Sequence, residues 1–246
     1  ERSIEYLLNH VDRGLFWEDP SFCGNDRYAL RSTYWKDDKL PGRENPDYPV
    51  AYTLVQAQTV EALRAASDLT TKLDLKFDPE NLIDTADRVS SSIFSLLWDD
   101  LTEYPVIALD DSGPISGISS DGLHMLYYLK REDVPGAKLE KIFNGANRLV
   151  TPYGFRTYAP DQVEFAPDSY HLGSIWPFEQ YFIAAGEKSF ENDQILEIGC
   201  RAVKALDKYG FHELFGWDGD KLTPLGCEKQ LWSACLPLGL KRLVDR

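Results

Sequence analysis

The sequence predicts an all-α chain of helical hairpins, and three observations carry that reading. Apolar residues recur at helical spacing through about eight segments, the connectors alternate between brief and long, and one stretch alone reads as β-structure. Ile4, Leu7, Leu8 and Val11 mark the first segment, which Gly14 ends. The second runs from about 49 to 73 through Val50, Leu54, Val55, Leu63 and Leu69, with Pro49 suited to a first helical turn. Asp78-Pro79 opens the third, which carries Leu82, Ile83, Ala86, Val89, Ile93, Leu96 and Leu97. Residues 104–109, then Asp110-Asp111-Ser112-Gly113, then a second short apolar stretch, read as a small β-hairpin; a plain turn fits those four residues better than a calcium loop. Helices resume at about 120–130, 136–149 and 174–185. Another spans 193–209 and closes at Gly210, a C-cap signal, and the last runs from 228 to 244.

The brief connectors are 132–135 and 186–190. The long ones, 15–48, 99–119, 151–173 and 211–227, are rich in Gly, Pro, Asp and aromatic residues. Loops of that length in a compact domain are usually functional, and the alternation implies hairpins whose long loops gather at one end. No close internal repeat, low-complexity tract or linker marks a second domain, so 1–246 reads as one domain portion.

Charge narrows the partners. A formal net charge of −14 repels a phosphate backbone and an anionic membrane surface, so neither nucleic acid nor membrane is expected, whereas a neutral polar ligand such as a carbohydrate is compatible. Six Trp and thirteen Tyr supply rings for a core and also for stacking on sugar faces. Cys23, Cys200, Cys227 and Cys235 are scattered without CxxC spacing, so no zinc or redox motif is read; free thiols and a cytoplasmic location are expected. No charged-then-apolar leader and no run of 18 apolar residues is read, and neither a metal nor a cofactor is expected.

Five motifs, in order along the chain, resemble the catalytic domain of the glycogen-debranching amylo-α-1,6-glucosidases. Ser169-Tyr170-His171-Leu172-Gly173-Ser174-Ile175-Trp176-Pro177-Phe178-Glu179 is similar to the family's Tyr-His-x-Gly-Ser-Val-Trp-Pro-x-Asp element. Tyr153-Gly154-Phe155-Arg156-Thr157 resembles its Gly-x-Arg-Thr, and 119–124, ending in His124, its Ser-Asn-Pro-Gly-His. Tyr34-Trp35-Lys36-Asp37-Asp38, followed by Pro49-Val50-Ala51 and Val55-Gln56, matches the element between the fifth and sixth helices of its toroid. Glu213-Leu214-Phe215, followed by Gly226-Cys227, Gln230, Trp232, Ser233 and Ala234, resembles its Pro-Glu-Leu-Phe … Cys-x-x-Gln-x-Trp pair. His212 replaces the usual Pro, Glu179-Gln180 replace Asp-Asn, and Leu54 stands where relatives often carry Glu. These departures bear on the substrate and leave open another branch of the clan, such as hydrolases of glucosylglycerate or mannosylglycerate.

The resemblance implies an (α/α)6 toroid of which about eight of twelve helices are present, with one small β-hairpin. The chain would be the C-terminal two-thirds of the ring, with a missing N-terminal segment or a partner chain completing it; an open ring exposes apolar helix faces. The resemblance also implies an inverting glycoside hydrolase acting on α-glucosides or related oligosaccharides. Asp37 would be the general acid and Glu213 the general base, roughly 6.5–9.5 Å apart to admit a water, with Asp38 and Glu179 as rival carboxylates. Trp35, Lys36, Asp38, His124, Arg156, Tyr170, His171, Trp176, Glu179, Trp217, Gln230 and Trp232 are the expected substrate-binding residues. Arg156 is read either as a fork for sugar hydroxyls or as the partner of a loop carboxylate. Trp176 and Trp232 suit a core as well as a stacking platform, and Gln230 and Trp232 support the base loop. Two rivals stand beside hydrolysis. One is a sugar epimerase, which needs a His pair from among His10, His124, His171 and His212. The other is a non-catalytic carbohydrate-binding subunit.

Overall fold

A computed structural model describes residues 1–24 and 34–245, so part of the long loop 15–48 lies outside the described residues. Helices dominate, and among the described residues the strands form only small sheets, the largest three-stranded. The chain divides into two compact units, Glu1–Ser116 with Tyr128–Leu139, and Gly117–Tyr127 with Glu140–Arg246.

In the first unit, α1 (Arg2–His10) runs into a hairpin of β1 (Val11–Asp12) and β2 (Leu15–Phe16). After the long loop, β3 (Ala51–Tyr52) leads directly into α2 (Thr53–Leu73). The helix starts beyond Pro49 because Ala51 and Tyr52 are extended and pair with Leu109 and Ala108, and Thr53 at its first turn is tied to the same loop, its amide to Ile107 O at 3.0 Å and its hydroxyl to Val106 O at 2.6 Å. Asp78 caps α3 (Pro79–Leu96) through the Glu80 amide, with Pro79 in the first turn as predicted. α2 and α3 pack together, and Leu82, Ala86, Val89 and Ile93 are fully buried at the three- and four-residue spacing of one helix face. β4 (Trp98–Asp99) pairs with β5 (Tyr104–Pro105), so 104–105 belong to a turn of their own. The predicted hairpin forms from β6 (Ala108–Asp110) and β7 (Gly113–Ile115), and β3 joins it as a third strand. Asp110 fixes its turn, accepting from the Ser112 amide at 3.0 Å, the Asp47 amide at 2.9 Å and the Arg43 guanidinium. Its carboxylate is thereby committed to the hairpin.

In the second unit, α4 (Asp121–His124) is one short turn followed by a 3-10 turn at Met125–Tyr127, shorter than the predicted helix 120–130. α5 (Gly136–Ala146), along which the chain passes from one unit to the other, ends in a 3-10 turn and a hairpin of β8 (Val150–Thr151) and β9 (Gly154–Phe155). α6 (Pro177–Phe190) begins three residues later than predicted. Ser174 O accepts the Thr157 amide, Ile175 bridges Phe215, and Trp176 before the proline is extended at φ −103°, ψ 115°. α6 also runs through 186–190, which the sequence assigned to a brief connector. Gly186 within it serves packing: a Cβ there would lie 2.7 Å from the Tyr127 amide nitrogen. The predicted helix 193–209 is two, α7 (Asp193–Cys200) and α8 (Val203–Tyr209), closed by Gly210 at φ 84°. β10 (Leu214–Trp217) and β11 (Leu222–Leu225) form a hairpin, and α9 (Leu231–Val244) ends the unit. Ile175, Ala184, Leu206, Phe215, Leu236 and Leu240 form its core. Among the described residues no helix is long and apolar enough to cross a membrane.

Candidate active site

Both units hold their loops with the same device. Gln56, fourth residue of α2, accepts from the Phe16 amide at 2.7 Å and donates to Phe16 O at 2.9 Å and Tyr52 O at 3.3 Å. Gln180, fourth residue of α6, accepts from the Phe155 amide at 2.7 Å and donates to Phe155 O at 3.0 Å and Trp176 O at 3.1 Å. Each buried glutamine so satisfies a strand residue on both its polar groups and the helix's own N-cap carbonyl.

The first unit carries Trp35, Lys36, Asp37 and Asp38. Tyr34 anchors them, stacked on Tyr52 at 4.7 Å and 17°. Lys36 is buried with its ammonium 5.1 Å from the centre of the Trp35 ring, a cation–π distance, while Asp37 and Asp38 are exposed.

The second unit carries the remaining candidates, and four of them meet. The Tyr170 hydroxyl donates to Glu213 Oε1 at 3.0 Å and the Cys227 amide donates to Oε2 at 3.0 Å, so both carboxyl oxygens are oriented. His171 stacks on Trp176 at 4.9 Å and 17°, and Trp176 donates its indole N–H to Tyr170 O at 2.8 Å. Trp176 is buried, so its ring backs the site through His171 and Tyr170. Gly226 is required here: at φ +66° it takes a left-handed turn, and a Cβ would sit 2.5 Å from Glu213 Oε2. The start of α9 steadies the same strand, Gln230 donating its amide to Phe211 O at 2.9 Å and the Ser233 hydroxyl bonding His212 O at 2.7 Å.

The other candidates stand elsewhere in this unit. Glu179 is fully buried, accepts from the Ser120 hydroxyl at 2.7 Å and lies 3.4 Å from His124 Nδ1. His124 stacks on Phe182 at 4.9 Å, so this pair ties α4 to α6. Trp217 packs edge-on against Tyr153 at 5.3 Å, and Trp232 is half exposed, tilted over Phe178 at 5.6 Å. Arg156 is 8% exposed, its guanidinium 5.2 Å from the centre of the Phe165 ring, and burial holds its pKa below the ordinary value. Cys227, Gly226, Ser233 and the two clamping glutamines were not singled out for these roles by the sequence. All five lie within the motifs quoted from the sequence, but their roles depend on backbone groups and close approaches that a motif does not show.

Residues 1–233 match the model of the mannosylglycerate hydrolase MGH1-like glycoside hydrolase domain. The chain belongs to that family. It is similar in structure to a family 63 mannosylglycerate hydrolase of Thermus thermophilus, solved with glucose, at 21% identity and a TM-score of 0.67 over 79% of this chain and 48% of that one. It is also similar to the neutral trehalase of Saccharomyces cerevisiae (16% identity, TM-score 0.59, 78% of this chain and 38% of that one). A family 78 rhamnosidase of Bacillus sp. GL1 matches at 13% identity and a TM-score of 0.57 over 96% of this chain and 22% of that one. No curated protein matches. These likenesses place the fold in the (α/α)-toroid class, and the chain spans about half the length of the mannosylglycerate hydrolase, 48%. The family is a glycoside hydrolase family, and it is not specifically that of glycogen debranching.

Proposed function

We propose that the chain forms much of the catalytic domain of an inverting glycoside hydrolase, with Glu213 as general base and Asp37 as general acid. The observation that carries this is the Glu213 carboxylate, held at one oxygen by a phenol and at the other by a backbone amide. A base must present a lone pair to water in a fixed direction, and two donors on a half-buried carboxylate supply that. Asp37 protonates the leaving glycosidic oxygen while Glu213 takes a proton from water attacking the anomeric carbon on the opposite face. The freed sugar then carries the inverted configuration. The substrates are α-linked glycosides, either α-glucosides or, as the name of the family suggests, glycosides of a small hydroxy acid. The ring is completed by a further helical segment or a partner chain, a reading supported by the fraction of the mannosylglycerate hydrolase that this chain spans.

Glu213→Gln keeps the hydrogen-bonding shape and removes the base. In the complete protein it should lower kcat on the order of 10²–10⁴-fold with the melting temperature held. Activity at the wild-type level would overturn the assignment. Asp37→Asn should depress substrates with poor leaving groups far more than glycosyl fluorides, which leave without a proton.

A further inference from the structure

The first unit holds a cavity that the proposed reaction does not use. Its volume is about 640 Å³, inside the roughly 300–1,000 Å³ range of small-molecule sites. Every residue lining it belongs to that unit, and residues 34–38, which carry the proposed acid, are not among them. His10, Trp17, Phe22, Pro49 and Leu109 supply rings and apolar surface. Asn9, Asp12, Arg13 and Asp111 supply polar groups, and all four residues are exposed.

The rings are fixed from behind. Trp17 packs against the core of Leu15, Ala51, Leu97 and Val106, and its indole N–H is spent on Asp12 O at 3.1 Å. What it can offer a ligand is its ring face. Phe22 is 38% exposed and lies against His10 at 4.4 Å, and His10 meets Tyr6 at 4.1 Å. His10 donates from Nδ1 to Tyr6 O at 2.7 Å, so Nε2 of the neutral ring is left as an acceptor. Opposite groups come from two turns. Asp110, held by Arg43 and by the Ser112 and Asp47 amides, sets the hairpin turn that carries Asp111. Asp111 donates its own amide to Asp47 O at 3.0 Å, while its carboxylate and the Asn9 side chain have no partner among the described residues. Arg13 and Gly14 form the two-residue turn between Asp12 and Leu15, both at positive φ, 51° and 79°. Glycine or asparagine is the ordinary occupant of such a turn, and other residues held in that conformation cluster at binding sites. Arg13 stands there with its Nε 3.5 Å from the Asp12 carboxylate.

We infer that this cavity is a second, non-catalytic site for a neutral saccharide unit, which lays a ring face on Trp17 and Phe22 and gives its hydroxyls to Asn9, His10 and Asp111. Charge decides against other occupants. Asp12 is offset by Arg13 and Asp110 by Arg43, which leaves Asp111 as the uncompensated charge of the lining. One exposed carboxylate holds an organic cation weakly, and an anion would meet three aspartates in a chain of net charge −14. A polyol needs no charge. It needs flat apolar faces beside mixed donors and acceptors, and the lining provides both. The inference goes beyond the hydrolase reading and stands without it.

The test is an NMR titration of the complete protein that follows the Trp17 indole N–H, assigned by its loss in Trp17→Phe. Methyl α-D-glucopyranoside and maltotriose should shift that resonance saturably, whereas choline and inorganic phosphate at the same concentrations should not. Asp111→Ala and Asn9→Ala alter exposed side chains, so both variants keep the fold. Asp111→Ala removes a charged acceptor and should weaken the saccharide on the order of 10- to 100-fold; Asn9→Ala should weaken it roughly 2- to 10-fold. Neither should change kcat on an aryl α-glycoside. A saturable shift with choline or phosphate in place of the saccharides would overturn the ligand class. Absence of any saccharide shift, or full affinity in Asp111→Ala, would overturn the site. Loss of turnover in folded Asp111→Ala would put the cavity in the catalytic path and overturn its separate role. Saccharide binding at Trp17 in a protein that hydrolyses no glycoside would sink the proposed function and leave this inference standing.

Discussion

Glu187 gives the fold a pH dependence that one substitution should remove. It lies in α6, fully buried, and neither carboxyl oxygen has a hydrogen-bond partner among the described residues. Burial pushes its pKa up from 4.5 to about 9. The folded state therefore keeps this proton up to about pH 9, whereas the unfolded chain releases it near 4.5. Below pH 4.5 both states are protonated and nothing is lost. Between the two values each pH unit lowers stability by about 1.4 kcal/mol, so the loss reaches about 3 kcal/mol at pH 7 and levels off above the folded value. Glu187→Met has a similar length, an apolar end and no proton to lose. It should melt close to the wild type at pH 4.5 and above it at pH 7, by roughly 6–12 °C for a chain of this size. Circular dichroism melts of both proteins at pH 4.5, 6, 7 and 8.5 read the difference, in which groups unaffected by the substitution cancel. A difference in melting temperature that does not change with pH would refute the reasoning.

Two further outcomes follow from the site. Gln180→Leu should destabilise the second unit by about 2–4 kcal/mol, because the amide and carbonyl of Phe155 are left unpaired in a buried position, and hydrogen exchange should report the loss at Phe155 first. A substitution cost under about 1 kcal/mol by denaturant titration would show that the clamp is dispensable. Tyr170→Phe removes one of the two donors on Glu213 and should lower kcat about tenfold, leaving the melting temperature nearly unchanged. Unaltered kcat would mean that the Cys227 amide alone sets the carboxylate.

The elements legible in the sequence are those with local chemical signals. Asp78-Pro79 announced α3 because an Asp cap and an N1 proline act within one turn, and Gly210 announced the end of α8 because its positive φ is a local demand. The hairpin around 110–113 was visible through its turn residues. The two-residue strands at 11–12, 15–16, 150–151 and 154–155 were not, since alternation needs a longer run to register. Nor was the shared plan of the two units, a β-hairpin clamped by the fourth residue of a later helix. Gln56 and Gln180 lie at unequal distances from Phe16 and Phe155 along the chain, and a glutamine in a first turn looks like a solvated side chain. Glu213 was singled out through its motif. What orients it, a phenol 43 residues away and the amide of Cys227, becomes visible only when the loops fold together. The start of α6 lies later than the sequence suggested because Ser174 and Ile175 are held by non-local backbone bonds to Thr157 and Phe215.

We propose that this scaffold inverts a glycosidic centre through a water activated by Glu213. Proton NMR of the first-formed sugar, recorded on the complete protein within the first minutes of hydrolysis and before mutarotation, tests it most directly. An α-glycoside should release the β-anomer first, with the α-anomer growing only at the rate of mutarotation. Release of the α-anomer first would mean retention, and with it a covalent intermediate in place of the water that Glu213 is held to activate.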